Sequence, residues 1–225
     1  MKTQFPVLLF DFEGTLVDFQ WKLKDAARDV KNELRLLGFD PSAWEDNYAT
    51  LRNQATQFAA QIGLDKRAVI KRLDPIYDQY DQDAATRWAV LPKVKMVLAR
   101  LKHELQIQIG LTSNIGRRAL DEATPRLGLT GFFDVIITRN DVEALKPSGE
   151  GVRSALKKLG AKNSDALFVG DSVTDVLAAK DAGVQAAIIQ GGESASVALV
   201  AAEPSYLWNA IDEIETLYDG GKQTN

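Results

Sequence analysis

Apolar residues return along this chain in two different rhythms. Between about residues 21 and 80 they recur at spacings of three and four, the period of a helix with one buried face. Leu23, Ala26, Ala27, Val30, Leu34 and Leu37 form the first stripe, which Gly38 stops. Asp40 and Pro41 predict a cap and first-turn pair for a second helix, carrying Trp44, Tyr48, Leu51, Ala55, Phe58, Ala59 and Ile62 up to Gly63. A third stripe holds Val69, Ile70, Leu73, Ile76, Tyr77 and Tyr80, with Pro75 expected to bend or restart it. These aromatics read as the core of a small helical bundle and not as a cofactor box.

From about residue 91 helices alternate with short apolar strands. Pro92 opens a helix through Val94, Val97, Leu98 and Leu101. Strands are expected at 107–111, 135–137, 166–169 and 186–189, with helices ending near Leu127 and Leu159 and running from Asp175 to Gly183. Trp208 to Leu217 predicts a last helix, and Asp219 to Asn225 a polar tail. Such alternation implies a parallel sheet with right-handed crossovers. The continuous run Val7-Leu8-Leu9-Phe10 reads as a further buried strand of that sheet. The fold class is therefore α/β: a Rossmann-like parallel sheet core from residues 1–18 and 91–225, with an inserted α-helical cap over 19–90. A module inserted there lies beside the carboxyl end of the first strand, where it can serve as a lid.

Composition narrows the function classes. The chain has 225 residues, 45% of them hydrophobic, enough for a large core plus an insertion. With 27 basic and 31 acidic residues it offers no general attraction to nucleic acid or an anionic membrane. No stretch approaches the length of a membrane span, and Met1 to Pro6 leads into the first strand without an apolar leader. The absence of cysteine excludes disulfides, thiolate metal sites and a cysteine nucleophile, and fits a reducing cytoplasm. The single histidine, His103, sits between Lys102 and Glu104 on an expected helix end, so a Ser-His mechanism lacks its base.

The chemistry collects at strand ends. Val7–Phe10 stops on Asp11, Phe12, Glu13, Gly14 and Thr15. Two carboxylates buried so close together are costly; a divalent cation would offset them and leave an oxygen free to attack an electrophile. A solvated Asp and Glu in a loop would also fit that segment taken alone. Three more strands, however, are followed by distinctive groups: the second by Thr112-Ser113-Asn114 at its end, the third by Lys146-Pro147 beyond it, and the fourth by Gly170-Asp171-Ser172 with Asp175 a turn later. At one edge of a parallel sheet these supply acids for a metal, a hydroxyl and an ammonium for an anion, and a carboxylate for attack, which is what phosphoryl transfer requires.

In these four segments, taken in order, the chain resembles the haloacid dehalogenase (HAD)-like superfamily of aspartate-nucleophile phosphotransferases. The helical insertion after the first motif matches the cap position of its phosphoglycolate-phosphatase-like branch. The resemblance implies a phosphatase of a small phosphorylated metabolite in which Asp11 attacks phosphorus and becomes an aspartyl phosphate. It implies Mg²⁺ bound by Asp11, the main-chain carbonyl of Glu13 and Asp171, with Asp175 as a ligand or just behind. Ser113 and Lys146 would hold the phosphoryl oxygens, with Lys146 also restraining Asp11. Gly14, Thr15 and Asn114 would line the substrate side, and residue 13 would protonate the leaving oxygen and then take a proton from water. Thr112 adjoins Ser113, but Ser113 is preferred because Asn114 follows it directly; Asp18 reads as a hinge or solvent residue.

Family phosphatases typically carry Asp where this chain has Glu13, one methylene longer. The metal contact uses the main chain and survives; the proton transfer is what the change touches. Alternatives are a catalytically weakened phosphate-ester binding or regulatory protein, a phosphotransferase, and a phosphonate-cleaving relative with Lys22 or Lys24 as the cap lysine. Trp21, Lys22, Arg52, Arg117 and Arg139 are candidate substrate contacts, while neither nucleic acid nor membrane is expected as a partner. Monomer and homodimer remain equally open.

Overall fold

Short runs of apolar residues with no polar alternation can be satisfied only where both faces are covered. The computed structural model, which describes residues 4–219, places six such runs in one parallel sheet. They are β1 (Val7–Phe10), β2 (Gln108–Thr112), β3 (Val135–Ile137), β4 (Ala166–Gly170), β5 (Gln185–Ile189) and β6 (Tyr206–Trp208), in the order β3-β2-β1-β4-β5-β6. Eight α-helices accompany them: α1 (Leu23–Leu36), α2 (Tyr48–Ala59), α3 (Lys66–Ala85), α4 (Val94–Ala99), α5 (Arg117–Arg126), α6 (Glu150–Leu159), α7 (Val173–Ala182) and α8 (Ser196–Ala201).

Side chains alternate across the sheet with the strand period of two. Leu8, Phe10, Ile109, Leu111, Leu167 and Val169 join one core, with residues of α4 and α5; Val7, Leu9, Phe168 and Ile188 join the other, with α6 and α7. Phe10 stands opposite Leu111 on one neighbour and Val169 on the other, so the next residues of all three strands emerge at one level. The chain builds outward from β1 through β2 to β3, then crosses back to place β4 on the other side of β1. That reversal opens a crevice at the carboxyl ends of the central strands.

Between β1 and β2 the chain forms α1, α2 and α3, which pack on one another and join the first core through Ala26, Val30, Leu34, Leu51, Ala55, Leu73 and Tyr77. The two connecting segments are tied together: Asp18 N donates to Ala89 O at 3.0 Å, and the Asp18 carboxylate accepts from Ala89 N at 2.6 Å. Asp18 thus joins the segment entering the helices to the segment leaving them. Asn53 reaches from α2 to the segment before Lys146, donating to Leu145 O and accepting from Leu145 N, both at 2.8 Å.

Three expectations about elements need correction. Asp40 and Pro41 open no helix; the Asp40 carboxylate closes a local turn by accepting from Ser42 N and Oγ, at 3.1 and 2.6 Å. The second helix begins at Tyr48, and Asn47 caps it by accepting from Ala49 N and Thr50 N at 3.0 and 3.1 Å. Turns and caps draw on the same short polar residues, so the signal was real but assigned to the wrong use. Pro75 does not restart α3, which runs through it; Pro75 and Lys71 are exposed, so water can take the carbonyl that proline leaves free. Tyr206–Trp208 starts no helix but forms β6 beside β5, before a 3₁₀ segment at Ile211–Leu217, and α8 had no counterpart among the expected elements. Of the expected polar tail, residues 220–225 lie outside the described residues. No helix among the described residues is long and apolar enough to cross a membrane.

Candidate active site

Asp11 leaves β1 with its N donating to Val169 O at 2.8 Å, which holds the first residue past the strand in the sheet's own geometry. Its Oδ1 lies 2.6 Å from Lys146 Nζ, and Asp175 Oδ1 lies 2.6 Å from the same nitrogen. All three side chains are buried. Lys146 is delivered by the loop before α6, and Asn114, beyond β2, grips that loop. Asn114 Oδ1 accepts from Lys146 N at 3.0 Å and its amide donates to Lys146 O at 3.4 Å. Burial alone would lower the Lys146 pKa; the Asp11 and Asp175 carboxylates outweigh it and hold the ammonium charged.

Asp171, at the end of β4, receives the Thr15 hydroxyl on Oδ1 at 3.1 Å and Glu193 N on Oδ2 at 2.6 Å. Gly14 adopts a φ of +85°, and a Cβ there would collide with the Asp171 carboxylate. The turn after β1 is therefore closed down onto Asp171 in a way only glycine permits. Asp175 spends its second oxygen on the start of α7, accepting from Asp171 N at 3.1 Å, Ser172 N at 3.0 Å and Ser172 Oγ at 2.6 Å.

Asp11, Asp171 and Asp175 each offer an oxygen within 4.8 Å of the others. Against three carboxylates stands the single Lys146 ammonium. Burial first, opposed by Lys146 and reinforced by Asp175, raises the Asp11 pKa; burial, Asp175 and Asp11 raise that of Asp171. The proton uptake favoured by this crowding is what a cation would replace, and an all-oxygen donor set suits a hard divalent ion. The residues therefore fit a metal such as Mg²⁺.

Glu13 is also buried, and Oε1 accepts from Gln20 N at 2.6 Å and Trp88 Nε1 at 2.8 Å. Both donors lie where the chain passes into and out of the helical insertion. Burial pushes its carboxyl up to about 7, although the Trp88 and Gln20 hydrogen bonds pull the other way. Ser113 follows β2 with N bonded to Ile137 O at 3.0 Å, and its Oγ accepts from Ile115 N at 3.3 Å, leaving the hydroxyl proton free to donate.

Asp11, Glu13, Ser113, Asn114 and Lys146 converge on one small polar cavity of about 20 Å³, faced by Phe19 and Tyr48 and by Glu193 from the loop after β5. Gly14 and Thr15 lie behind Asp171 and line a separate, more apolar cavity of about 230 Å³. The candidate substrate contacts are engaged elsewhere. Trp21 Nε1 donates to Asp81 at 2.8 Å, Lys22 pairs with Asp83 at 3.1 Å, and Arg117 pairs with Asp141 at 2.6 Å. Buried Arg52 donates to Glu143 O at 3.3 Å, and Arg139 is enclosed by Asp74, Asp78 and Asp81. Lys24 is exposed on α1, and His103 is exposed as expected. Sequence reasoning missed Phe19, Tyr48 and Glu193. Tyr48 resembled the rest of its apolar stripe, whereas Glu193 follows a strand end, a place that could have drawn notice.

The model of haloacid dehalogenase-like hydrolases matches residues 8–189. The chain belongs to this family. A pyrophosphatase PpaX of Bacillus velezensis is 34% identical over 107 residues, 48% of this chain and 50% of that protein, so the chain spans about half the length of that relative in the match. A pyrophosphatase PpaX of Oceanobacillus iheyensis is 25% identical over 210 residues, 93% of this chain and 95% of the relative. Among solved structures, a predicted phosphoglycolate phosphatase from Haemophilus somnus 129pt shares the HAD fold with a TM-score of 0.67 at 20% identity, covering 96% of this chain and 99% of its own.

Proposed function

We propose that this HAD-like hydrolase is a Mg²⁺-dependent phosphatase of a small phosphorylated metabolite, acting through an aspartyl phosphate on Asp11. The observation that carries this reading is the buried Asp11 carboxylate, one oxygen held by Lys146, in a cavity shared with Glu13 and Ser113. An Asp11 oxygen attacks phosphorus while the bond to the leaving oxygen breaks, and Glu13 gives that oxygen a proton. Glu13, now ionised, takes a proton from water, which attacks the acyl phosphate and restores Asp11. A carboxyl near 7 serves both halves of that cycle at neutral pH. Ser113 Oγ and Lys146 Nζ hold the phosphoryl oxygens, and Asn114 fixes Lys146. Mg²⁺, held by Asp11, Asp171 and the Glu13 carbonyl with Asp175 behind, would neutralise charge on the transferring group.

Residues 19–90 are proposed as a cap on the core of 1–18 and 91–225. A cavity of about 20 Å³ holds roughly one water, so the cap must lift for a phosphate ester to enter. The assay is hydrolysis of an aryl phosphate with Mg²⁺ and after chelation: turnover in the first and none in the second is expected, and equal rates would refute the reading. Mg²⁺ should also raise the thermal midpoint. The raised pKa values of Asp11 and Asp171 mean that the folded protein retains protons the unfolded chain has released, so these groups lower apo stability as pH rises. A metal displaces those protons and its effect grows with pH. At a hundredfold saturation about 2.7 kcal/mol is expected, roughly 5–10 °C, larger at pH 8 than at pH 5 in a melting experiment.

The fixed carboxylate of Glu13 favours one second reading, a phosphate-ester binder with little turnover. Glu13→Asp separates the two. If Glu13 is the working acid and base, the shorter side chain leaves Trp88 and Gln20 and turnover falls about 10²-fold; if Glu13 has ended turnover, Asp raises it. Glu13→Gln should cost about 10²–10⁴-fold, read in steady-state kinetics.

A further inference from the structure

We infer that the cavity selects phosphate monoesters whose leaving group offers a hydrogen-bond donor, a hydroxyl or an ammonium, and rejects those bringing a second negative charge, with Glu193 as the discriminating residue. The inference rests on the phosphatase reading and names the substrate class for it.

The charges facing the cavity are unequal. Asp11, Glu13 and Glu193 line it, while Lys146 is the one cation among its described lining residues. That ammonium is already matched by Asp11 and Asp175. Two buried arginines, Arg52 and Arg139, do not line the cavity; Arg52 donates to Glu143 O at 3.3 Å with Asp74 3.9 Å away, and Arg139 faces three aspartates. A carboxylate or second phosphate beyond the ester oxygen would meet no free cation. It would meet Glu193, whose carboxylate makes no ion pair among the described residues.

Glu193 is set there by the main chain. Its N donates to Asp171 Oδ2 at 2.6 Å, and a Cβ on neighbouring Gly192 would overlap Asp171, so the loop after β5 is drawn tightly over the end of β4. Tyr48, the first residue of α2, lines the same cavity. Burial, and then the carboxylates of Glu193, Asp11 and Glu13, push its phenol well above the usual range, so it keeps its proton and can donate. Phe19 and Ile115 supply apolar wall, and Thr174 a hydroxyl. Donors and acceptors without a free cation suit a polyol or amino alcohol. They do not suit pyrophosphate, for which the two bacterial relatives are named.

The test compares kcat/KM for glycerol phosphate, phosphoethanolamine, phosphoglycolate and pyrophosphate at pH 8 with Mg²⁺. The first two should exceed the last two by at least about tenfold, the scale of one unfavourable charge contact. Glu193→Gln should shrink that gap about tenfold through KM of the anionic substrates, and Glu193→Asp should restore it. A wild-type preference for phosphoglycolate or pyrophosphate, or a Glu193→Gln effect equal on all four, would overturn the inference. If none is hydrolysed, the phosphatase reading falls by itself. Calorimetric binding of the four esters to Asp11→Asn with Mg²⁺ then decides: the same ranking supports charge selection, and the reverse ranking refutes it.

Discussion

Asp11→Asn is expected to lower kcat for an aryl phosphate by on the order of 10⁶-fold, the scale seen when other covalent catalysts lose their nucleophile. Asparagine keeps the size of the side chain and a carbonyl oxygen for Lys146 Nζ, now 2.6 Å from Asp11 Oδ1, but cannot form an acyl phosphate. The fold should not suffer. Asp11 is buried beside Asp171 and Asp175, and the carboxylate pKa is raised, so removing its charge relieves repulsion in the metal-free protein. Loss of turnover with an unchanged or raised melting temperature in the absence of Mg²⁺ is the predicted signature. Rapid-quench kinetics on the wild type should show a phosphorylated protein that the variant never forms. Retention of more than about a hundredth of the activity would show that Asp11 is not the nucleophile.

Arg139→Met should cost about 3–5 kcal/mol of stability, because it leaves a buried carboxylate without its counter-ion. Arg139 has no solvent exposure and lies 2.5 Å from Asp81 Oδ2, beside Asp78, and 3.6 Å from Asp74, with its guanidinium 5.3 Å from the Tyr77 ring centre. Asp81 is equally buried and accepts from Gly116 N and Trp21 Nε1, both at 2.8 Å. The bonds to Arg139 and Gly116 run from α3 to the segments after β3 and β2, so the network fastens α3 to the sheet. Burial raises the Asp81 pKa and Arg139 opposes it; without the arginine the rise is larger. A raised carboxyl in the folded state is protonated at little cost in acid and must ionise as pH increases, so the variant loses stability with rising pH. Urea denaturation should therefore show a larger deficit at pH 8 than at pH 5. Adding Asp81→Asn should recover part of the pH 8 deficit. Equal deficits at the two pH values would contradict this account.

That network also shows why some assignments were out of reach. Arg52 and Arg139 read as candidate substrate contacts because, in the family the chain resembles, residues of the cap near the hinge set the substrate. Here their anionic partners are aspartates of α3, which sequence spacing relates to α3's own helical face and not to a segment some sixty residues later. Asp40 was misread for a local reason: side chains that cap helices also close turns, and only the path of the following backbone distinguishes the two. Tyr206–Trp208 is a strand because β5 is there to pair with it.

What the sequence determined by itself was the sheet and the chemistry at its edge. A continuous apolar run must be covered on both faces, and strand-helix alternation makes the strands parallel, so Asp11, Ser113, Lys146 and Asp171 had to emerge on one side. Tertiary structure alone decided how those groups are used. Lys146 is shared between Asp11 and Asp175, Asn114 holds the lysine loop, and Glu13 is tied to Trp88. It alone brought Tyr48 and Glu193, 145 positions apart, into the lining of one cavity. Local pattern reports which face of an element is buried; which residues meet there depends on how distant elements pack, and no spacing along the chain records that.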